Sequence, residues 1–311
     1  MVGQSTQARI AIVGAGFIGR SWATLFAQHG HEVTIYDPDR TSLDGIHASI
    51  QASLDQLAGA GLLAAPPAVV LGRIATATDL GAAVAKAEYV QENIPERLDM
   101  KRTLFAELDR LAPGSAVLAS SSSSLTCTQI CADLPGRARC LIAHPANPPH
   151  LLRAVEIVPA KFTDPIVATR ALDILRAVGQ VPVVIGEIDG FVMNRLQAAL
   201  AGEALALVAS GVADARAIDA VVKHSLGPRW AFMGPFETMD LNAPGGFSDY
   251  AQRYGDAFAE LSGGDSWPGD AVRQVDLDRR IDCPTGSLSE RREWRDRRLA
   301  ALISHLKRQS D

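Results

Sequence analysis

Arg9-Ile10-Ala11-Ile12-Val13-Gly14-Ala15-Gly16-Phe17-Ile18-Gly19 decides the fold. Residues 10–13 are apolar and partly β-branched, which reads as a short buried strand. The glycine-rich turn follows without a spacer. Residues 21–29 then carry Trp22, Leu25 and Phe26 at the spacing of a helix face, and Gly30 ends that helix. Val33-Thr34-Ile35-Tyr36 is a second strand, closed by Asp37-Pro38. Strand, helix and strand within about 30 residues make one βαβ unit.

A G-x-G-x-x-G pattern alone is weak. Between a strand and a helix it becomes a dinucleotide fingerprint. Gly14 permits the tight turn, Gly16 leaves room for a pyrophosphate at the backbone, and Gly19 lets helix and strand pack closely. Phe17, Ile18 and Gly19 open the helix, where free N–H groups and the positive dipole end favour phosphate charge. Asp37 lies 18 residues after Gly19. A carboxylate there accepts hydrogen bonds from both adenosine ribose hydroxyls and repels a 2′-phosphate, which selects NAD over NADP. Arg40 stands near enough to soften that preference, and FAD is the competing dinucleotide.

The strand and helix alternation continues outward. Residues 41–63 predict a long helix, stopped by Pro66-Pro67. Residues 89–90, 116–119, 139–143, 155–158 and 181–185 predict strands, and 96–111 and 164–178 predict helices. Such alternation implies a mostly parallel sheet covered on both faces. From Gly190 onward only helices and turns are legible. The expected fold is therefore an α/β, Rossmann-type sheet domain over residues 1–188, followed by an all-helical domain over 189–311.

Composition bounds the function. The 311 residues are 47% hydrophobic and 21% charged, enough for a sizeable core and unlike a disordered chain. The formal net charge of −5 argues against a nucleic-acid or acidic-membrane footprint. Four cysteines are too sparse for a disulfide scaffold, and Cys127 and Cys131 have no metal-ligand group around them. All four read as reduced, mostly small core residues, and no metal is expected. The first nine residues carry no apolar signal region. No uninterrupted apolar run approaches the ~18–20 residues of a membrane span. A cytoplasmic protein with no membrane contact is the expectation.

Chemistry must come from polar residues at the strand ends. Ser123 sits in the run Ser120-Ser121-Ser122-Ser123-Ser124 after a strand, and adjacent serines leave its register open by one. His144 ends the strand Leu141-Ile142-Ala143 and is held by Pro145 and Pro148-Pro149. Glu156 lies inside an apolar strand, where an unpaired carboxylate is costly.

These residues, in this order, resemble the 3-hydroxyacyl-CoA dehydrogenase superfamily. The match rests on residues 14–19, Ser120 to Leu125, His144-Pro145-Ala146-Asn147-Pro148, Val155-Glu156-Ile157-Val158 and Gly190-Phe191-Val192-Met193-Asn194-Arg195. His144 follows Ser123 by 21 residues and precedes Glu156 by 12. His144-Pro145-Ala146-Asn147-Pro148-Pro149 and the block from Gly227 to Met239 look most like the lambda-crystallin branch, whose enzyme is L-gulonate 3-dehydrogenase. L-carnitine dehydrogenases share part of the second block.

The resemblance implies roles. His144 would be the general base for a 3-hydroxyl, since an imidazole near pKa 6.5 cycles at neutral pH. Glu156 would hold the ring and stabilise the imidazolium. Ser123 and Asn194 would bind the reacting oxygen and orient the substrate. Asn147, Glu96 and Lys101 match positions near the cofactor, although Glu96 and Lys101 read equally well as a solvated helix face. The resemblance also implies a homodimer formed through the helical domain.

The substrate reading rests on charge. Residues 41–72, where the superfamily holds CoA phosphates, contain no Lys or Arg and only His47. A small 3-hydroxy acid instead needs a cation, and Arg229 is the best candidate, ahead of Arg153 and Arg195. The expected activity is NAD-dependent oxidation of a small hydroxy acid, foremost L-gulonate. L-carnitine and 3-hydroxyacyl-CoA are the enzymatic alternatives, and a non-catalytic NAD-binding structural protein is the alternative of another class. The tail, residues 289–309, predicts a basic amphipathic helix packed on its own or a partner subunit.

Overall fold

The computed structural model describes residues 7–282 and 288–309. Contacts divide the chain into two units, residues 1–199 and 200–311, with the division inside the helix Phe191–Ala209. The first unit is built on an eight-stranded sheet: β1 (Arg9–Val13), β2 (Glu32–Tyr36), β3 (Ile74–Ala77), β4 (Tyr89–Glu92), β5 (Val117–Ser120), β6 (Cys140–Pro145), β7 (Ala154–Pro159) and β8 (Val181–Val184). Their order across the sheet is β3-β2-β1-β4-β5-β6-β7-β8. All neighbours are parallel except β6 and β7, which are antiparallel.

Period-two alternation sends side chains to both faces. On β1, Ile10 and Ile12 join one core cluster, while Ala11 and Val13 join the other. The first face is covered by helix Phe17–Gln28, whose Trp22 and Phe26 stack with centroids 5.6 Å apart, and Phe26 reaches Tyr89 at 5.8 Å. The second face is covered by helix Leu98–Leu111, which buries Phe105 and Leu108. Few aromatics are needed because Ala, Val, Leu and Ile fill the remainder of both layers. Every regular element among the described residues of the second unit is a helix.

The structure departs from the sequence expectation in the following places. The helix expected over 41–63 is broken, because Gly45 adopts φ +72° and separates Arg40–Leu43 from Ile46–Gly59. Strand β3 was not anticipated: it is a four-residue sheet edge with only Ile74 buried, so it carries no alternation to read. The single antiparallel pair, β6 with β7, leaves the sheet mostly parallel as expected. Cys127 and Cys131 are buried together with Cys140, and their mutual hydrogen bonds and burial push the Cys131 thiol far up, keeping it protonated. Cys283 lies outside the described residues. Helix Phe191–Ala209 is long and apolar enough to cross a membrane by length and composition, but Asn194, Arg195, Gln197 and Glu203 interrupt it.

Burial lowers the pKa of His31, whose Nδ1 accepts the Ala8 N–H at 3.1 Å. The folded state thus resists a proton that the unfolded chain takes up near pH 6.5. The associated stability is present above that pH and is lost as pH falls below it, by at most about 1.4 kcal/mol per pH unit. His150, lowered by burial as well, has the same sign. Denaturant unfolding at pH 7.5 and pH 5 checks this: His31→Asn is expected to flatten the decline, and an unchanged slope would rule His31 out as its source.

Candidate active site

The glycine turn joins the C-terminal end of β1 to helix Phe17–Gln28. Gly14 has φ +101°, and a Cβ there would meet the Asn93 carbonyl oxygen at 2.8 Å. A Cβ on Gly19 would collide with the Gly14 carbonyl oxygen. Gly16 is different: a Cβ there would meet nothing within 4 Å. The turn is therefore a cradle, open at Gly16, at a helix start that no side chain caps and no acidic residue crowds. Those are the features a pyrophosphate requires. Ile18 packs against the core and Phe17 is exposed. Asp37, just past β2, fixes the turn from the other side: its Oδ2 accepts the Ala15 N–H at 2.9 Å and its Oδ1 the Asp39 N–H at 3.0 Å. Beside it opens a cleft of about 360 Å³ lined by Val13, Tyr36, Pro38, Ile94, Met100 and Leu104.

His144 and Glu156 face each other across the antiparallel β6–β7 ladder, in direct register. The reversal of chain direction is why 12 residues of sequence bring the two side chains together. His144 Nδ1 lies 2.8 Å from Glu156 Oε2, and both residues are buried. A carboxylate only accepts, so the bond assigns a proton to Nδ1, and in the neutral ring Nε2 then holds the free lone pair. Glu156 Oε1 accepts two more hydrogen bonds, from the Val192 N–H at 2.9 Å and the Met193 N–H at 2.8 Å. The start of helix Phe191–Ala209 thus closes around the carboxylate, where the dipole favours negative charge.

The serine run leaves β5 and turns under Glu96. Ser120 donates to Glu92, Ser121 donates to Asn93 Oδ1, and Ser122 and Ser124 donate to Glu96 Oε1. Among the described residues the Ser123 hydroxyl alone in the run bonds to no side chain or carbonyl. Its backbone is fixed on both sides: the Ser123 N–H donates to Glu96 at 3.0 Å, and its carbonyl accepts Asn194 Nδ2 at 2.8 Å. Asn147 is exposed just past β6. The first turn of helix Phe191–Ala209 therefore joins two hydrogen-bonded pairs: its Val192 and Met193 amides hold the Glu156 that binds His144, and its Asn194 binds the Ser123 backbone.

Glu96 and Lys101 are not a solvated helix face. Burial alone would raise the Glu96 pKa, but donation from Ser122, the Lys101 charge and the amides of Ser124 and Leu125 outweigh it and hold the carboxyl below its usual range. Lys101 is 1% exposed, with its ammonium 2.7 and 2.9 Å from the two Glu92 oxygens and 3.5 Å from Glu96. Glu92 is wholly buried. Burial raises its pKa more than Lys101, Ser120 and the Ile94 N–H pull it back. Sequence reasoning missed Glu92. Its only signal was a carboxylate closing an apolar strand, nine residues before a lysine.

Arg229 lies in the second unit, in the short helix Gly227–Trp230. Its Nε donates to the Ser225 carbonyl at 3.3 Å, and it forms no ion pair among the described residues. Among the described residues, the Arg153 and Arg195 side chains also bond only to carbonyls, of Gly179 and Asp189.

A doubly wound sheet with an open glycine cradle and a buried imidazole–carboxylate couple defines a nicotinamide-dependent oxidoreductase of the Rossmann type. The comparisons narrow the class. Residues 9–188 match the model of the 3-hydroxyacyl-CoA dehydrogenase NAD-binding domain, and residues 190–274 match that family's C-terminal domain. Lambda-crystallin of Oryctolagus cuniculus is 40% identical over 309 residues, covering 96% of each chain. L-carnitine dehydrogenase of Streptomyces coelicolor is 37% identical over 249 residues, 79% of this chain and 77% of that one. Among solved structures, 5-formyl-3-hydroxy-2-methylpyridine 4-carboxylic acid 5-dehydrogenase, an NAD+ dependent dismutase, superposes with a TM-score of 0.75 at 27% identity, covering 97% of this chain and 99% of that one. The chain belongs to the 3-hydroxyacyl-CoA dehydrogenase family, on its lambda-crystallin branch, and is an NAD-dependent oxidoreductase.

Proposed function

We propose that this chain oxidises a small 3-hydroxy acid, foremost L-gulonate, to the 3-keto acid while NAD is reduced to NADH. The observation that carries the reading is the His144–Glu156 couple, whose Nδ1 is engaged and whose Nε2 is left as a base. Residues 1–188 would hold NAD and residues 189–311 would serve the substrate and a partner copy.

Bound NAD supplies the hydride acceptor for the substrate's C3. The residues that would hold it are Gly14, Gly16, Phe17, Ile18 and Gly19 around the pyrophosphate, and Asp37 at the adenosine ribose. The cleft between Tyr36 and Met100, which Asp99, Thr103 and Glu107 also line, has the size for a purine ring. Glu96, Lys101 and Asn147 would border the nicotinamide side, the first two through the serine loop they support. His144 Nε2 takes the proton of the 3-hydroxyl as the C3–H electron pair departs, leaving a carbonyl. Glu156 stabilises the imidazolium formed, and its two amide donors keep it in place. The Ser123 hydroxyl and Asn194 bind the reacting oxygen.

Charge supports a substrate without CoA. The helix Ile46–Gly59 has no basic side chain other than His47, whose Nε2 is engaged by the Ile74 carbonyl at 3.1 Å. Arg229, free of ion pairs among the described residues, would grip the carboxylate with paired hydrogen bonds. The nearly unburied apolar helix Phe191–Ala209 supports a homodimer.

A panel of L-gulonate, L-carnitine and 3-hydroxybutyryl-CoA, followed by NADH absorbance, tests the proposal. L-Gulonate is expected to give the highest kcat/KM. Preference for the thioester would overturn the small-substrate reading, and silence across a wide hydroxy-acid panel would favour a structural NAD-binding role. With the best acid, Arg229→Ala is expected to raise KM about tenfold or more with little change in kcat, the loss of a charged hydrogen-bonded pair. An unchanged KM would remove Arg229 from the site. Asp37→Ala is expected to weaken NAD about tenfold and narrow the preference over NADP, measured by cofactor titration. Retained discrimination would refute the ribose role.

A further inference from the structure

Phe191 is the only non-glycine among the described residues with a left-handed backbone, φ +50°, and it follows Gly190 at φ +76°. A side chain in that region is strained, since its Cβ crowds the following carbonyl. An aromatic residue is a poor choice for such a position unless the surroundings hold it there. They do: Phe191 is 0% exposed, in the core layer that contains Cys127, Ile142 and Val158.

Two consequences of that conformation converge on the same atoms. The turn begins helix Phe191–Ala209 abruptly, so that the N–H groups of Val192 and Met193 point together at Glu156 Oε1. The Phe191 ring lies 5.6 Å from the His144 ring at a tilt of 48°. Glu156 is thereby held by two amides and His144 is contacted by a tilted aromatic ring, with the 2.8 Å bond between them. A core phenylalanine placed only for burial would have no need of the unfavourable backbone.

We infer that Phe191 is a positioning residue of the reaction: its left-handed backbone aims two amides at Glu156, and its ring sets the plane of the His144 imidazole. The inference rests on the reading of His144 as the base.

Phe191→Leu tests it. Leucine keeps the apolar volume near that of the ring's inner part but loses the aromatic face, and is equally strained. The expected result, at a temperature well below unfolding, is a fall in kcat of about tenfold or more. KM and NAD affinity are expected to stay within about twofold, while the pH midpoint of kcat/KM shifts by about half a unit or more. If the leucine variant does not fold, Phe191→Met is read in the same way. A variant that only melts earlier, with wild-type kcat and pH profile, would overturn the inference and leave Phe191 as core. His144→Ala measured in parallel separates the two levels: if it too keeps wild-type kcat, the base assignment itself has failed.

Discussion

His144→Ala is expected to lower kcat by about 10²- to 10⁴-fold while the Kd for NAD, read by fluorescence titration, changes less than about threefold. On the proposed mechanism the imidazole would receive the hydroxyl proton, so without it charge would build up on the oxygen as the hydride leaves. The glycine cradle and Asp37 follow β1 and β2, separated from β6 by two and three intervening strands, so the proposed cofactor contacts should survive. Loss of NAD binding together with activity would show that the histidine supports the fold instead. Glu156 sharpens the result: it would be left with two amide donors and no imidazole, still partnered, so a large stability loss is not expected.

The second large effect is on stability. Lys101→Met is expected to cost about 3–5 kcal/mol of unfolding free energy, because it leaves the wholly buried Glu92 carboxylate without its cation. The residue can respond by taking a proton, a direction in which burial already pushes it. Replacing both partners, Glu92→Gln with Lys101→Met, removes the unpaired charge and is expected to recover more than half of that loss. Chemical denaturation of the wild type and the single and double variants makes the comparison. A single variant within 1 kcal/mol of wild type, or a double variant less stable than the single, would contradict the pairing. The serine loop hangs from the same network through Ser120 and Glu96, so the single variant should also lose turnover.

Much of this was legible because local signals and global fold agree. The βαβ unit at residues 9–38 announces itself by strand, glycine turn and helix in immediate succession, and nothing tertiary is needed to read it. Glu156 was legible as an anomaly, a carboxylate among Val155, Ile157 and Val158 that had to be paired. That its partner is directly opposite was not, since a buried antiparallel strand and a buried parallel one have the same local pattern. The five serines were ambiguous for a similar reason. Glu96 accepts from the hydroxyls of Ser122 and Ser124, and the reading of Ser123 as the substrate serine rests on its hydroxyl being left over. Glu92 escaped because its meaning depends on Lys101 arriving from a helix, and strand periodicity carries no information about that. Gly45, by contrast, was visible in the sequence as Asp44-Gly45, but its neighbours' helical spacing outweighed a single glycine. Phe191 was legible only as part of the Gly190–Arg195 block; its left-handed backbone is invisible in a residue type that avoids it.

The central claim is geometric, that His144 and the nicotinamide address the same carbinol. The structure of the chain with NADH and the 3-keto acid bound tests it most directly. The account predicts His144 Nε2 at about 2.6–3.2 Å from the oxygen on C3. It also predicts nicotinamide C4 at about 3–3.5 Å from C3 itself, with Nδ1 still on Glu156. An imidazole turned away from the ligand, or a keto group bound beyond its reach with protein packed between, would contradict the account.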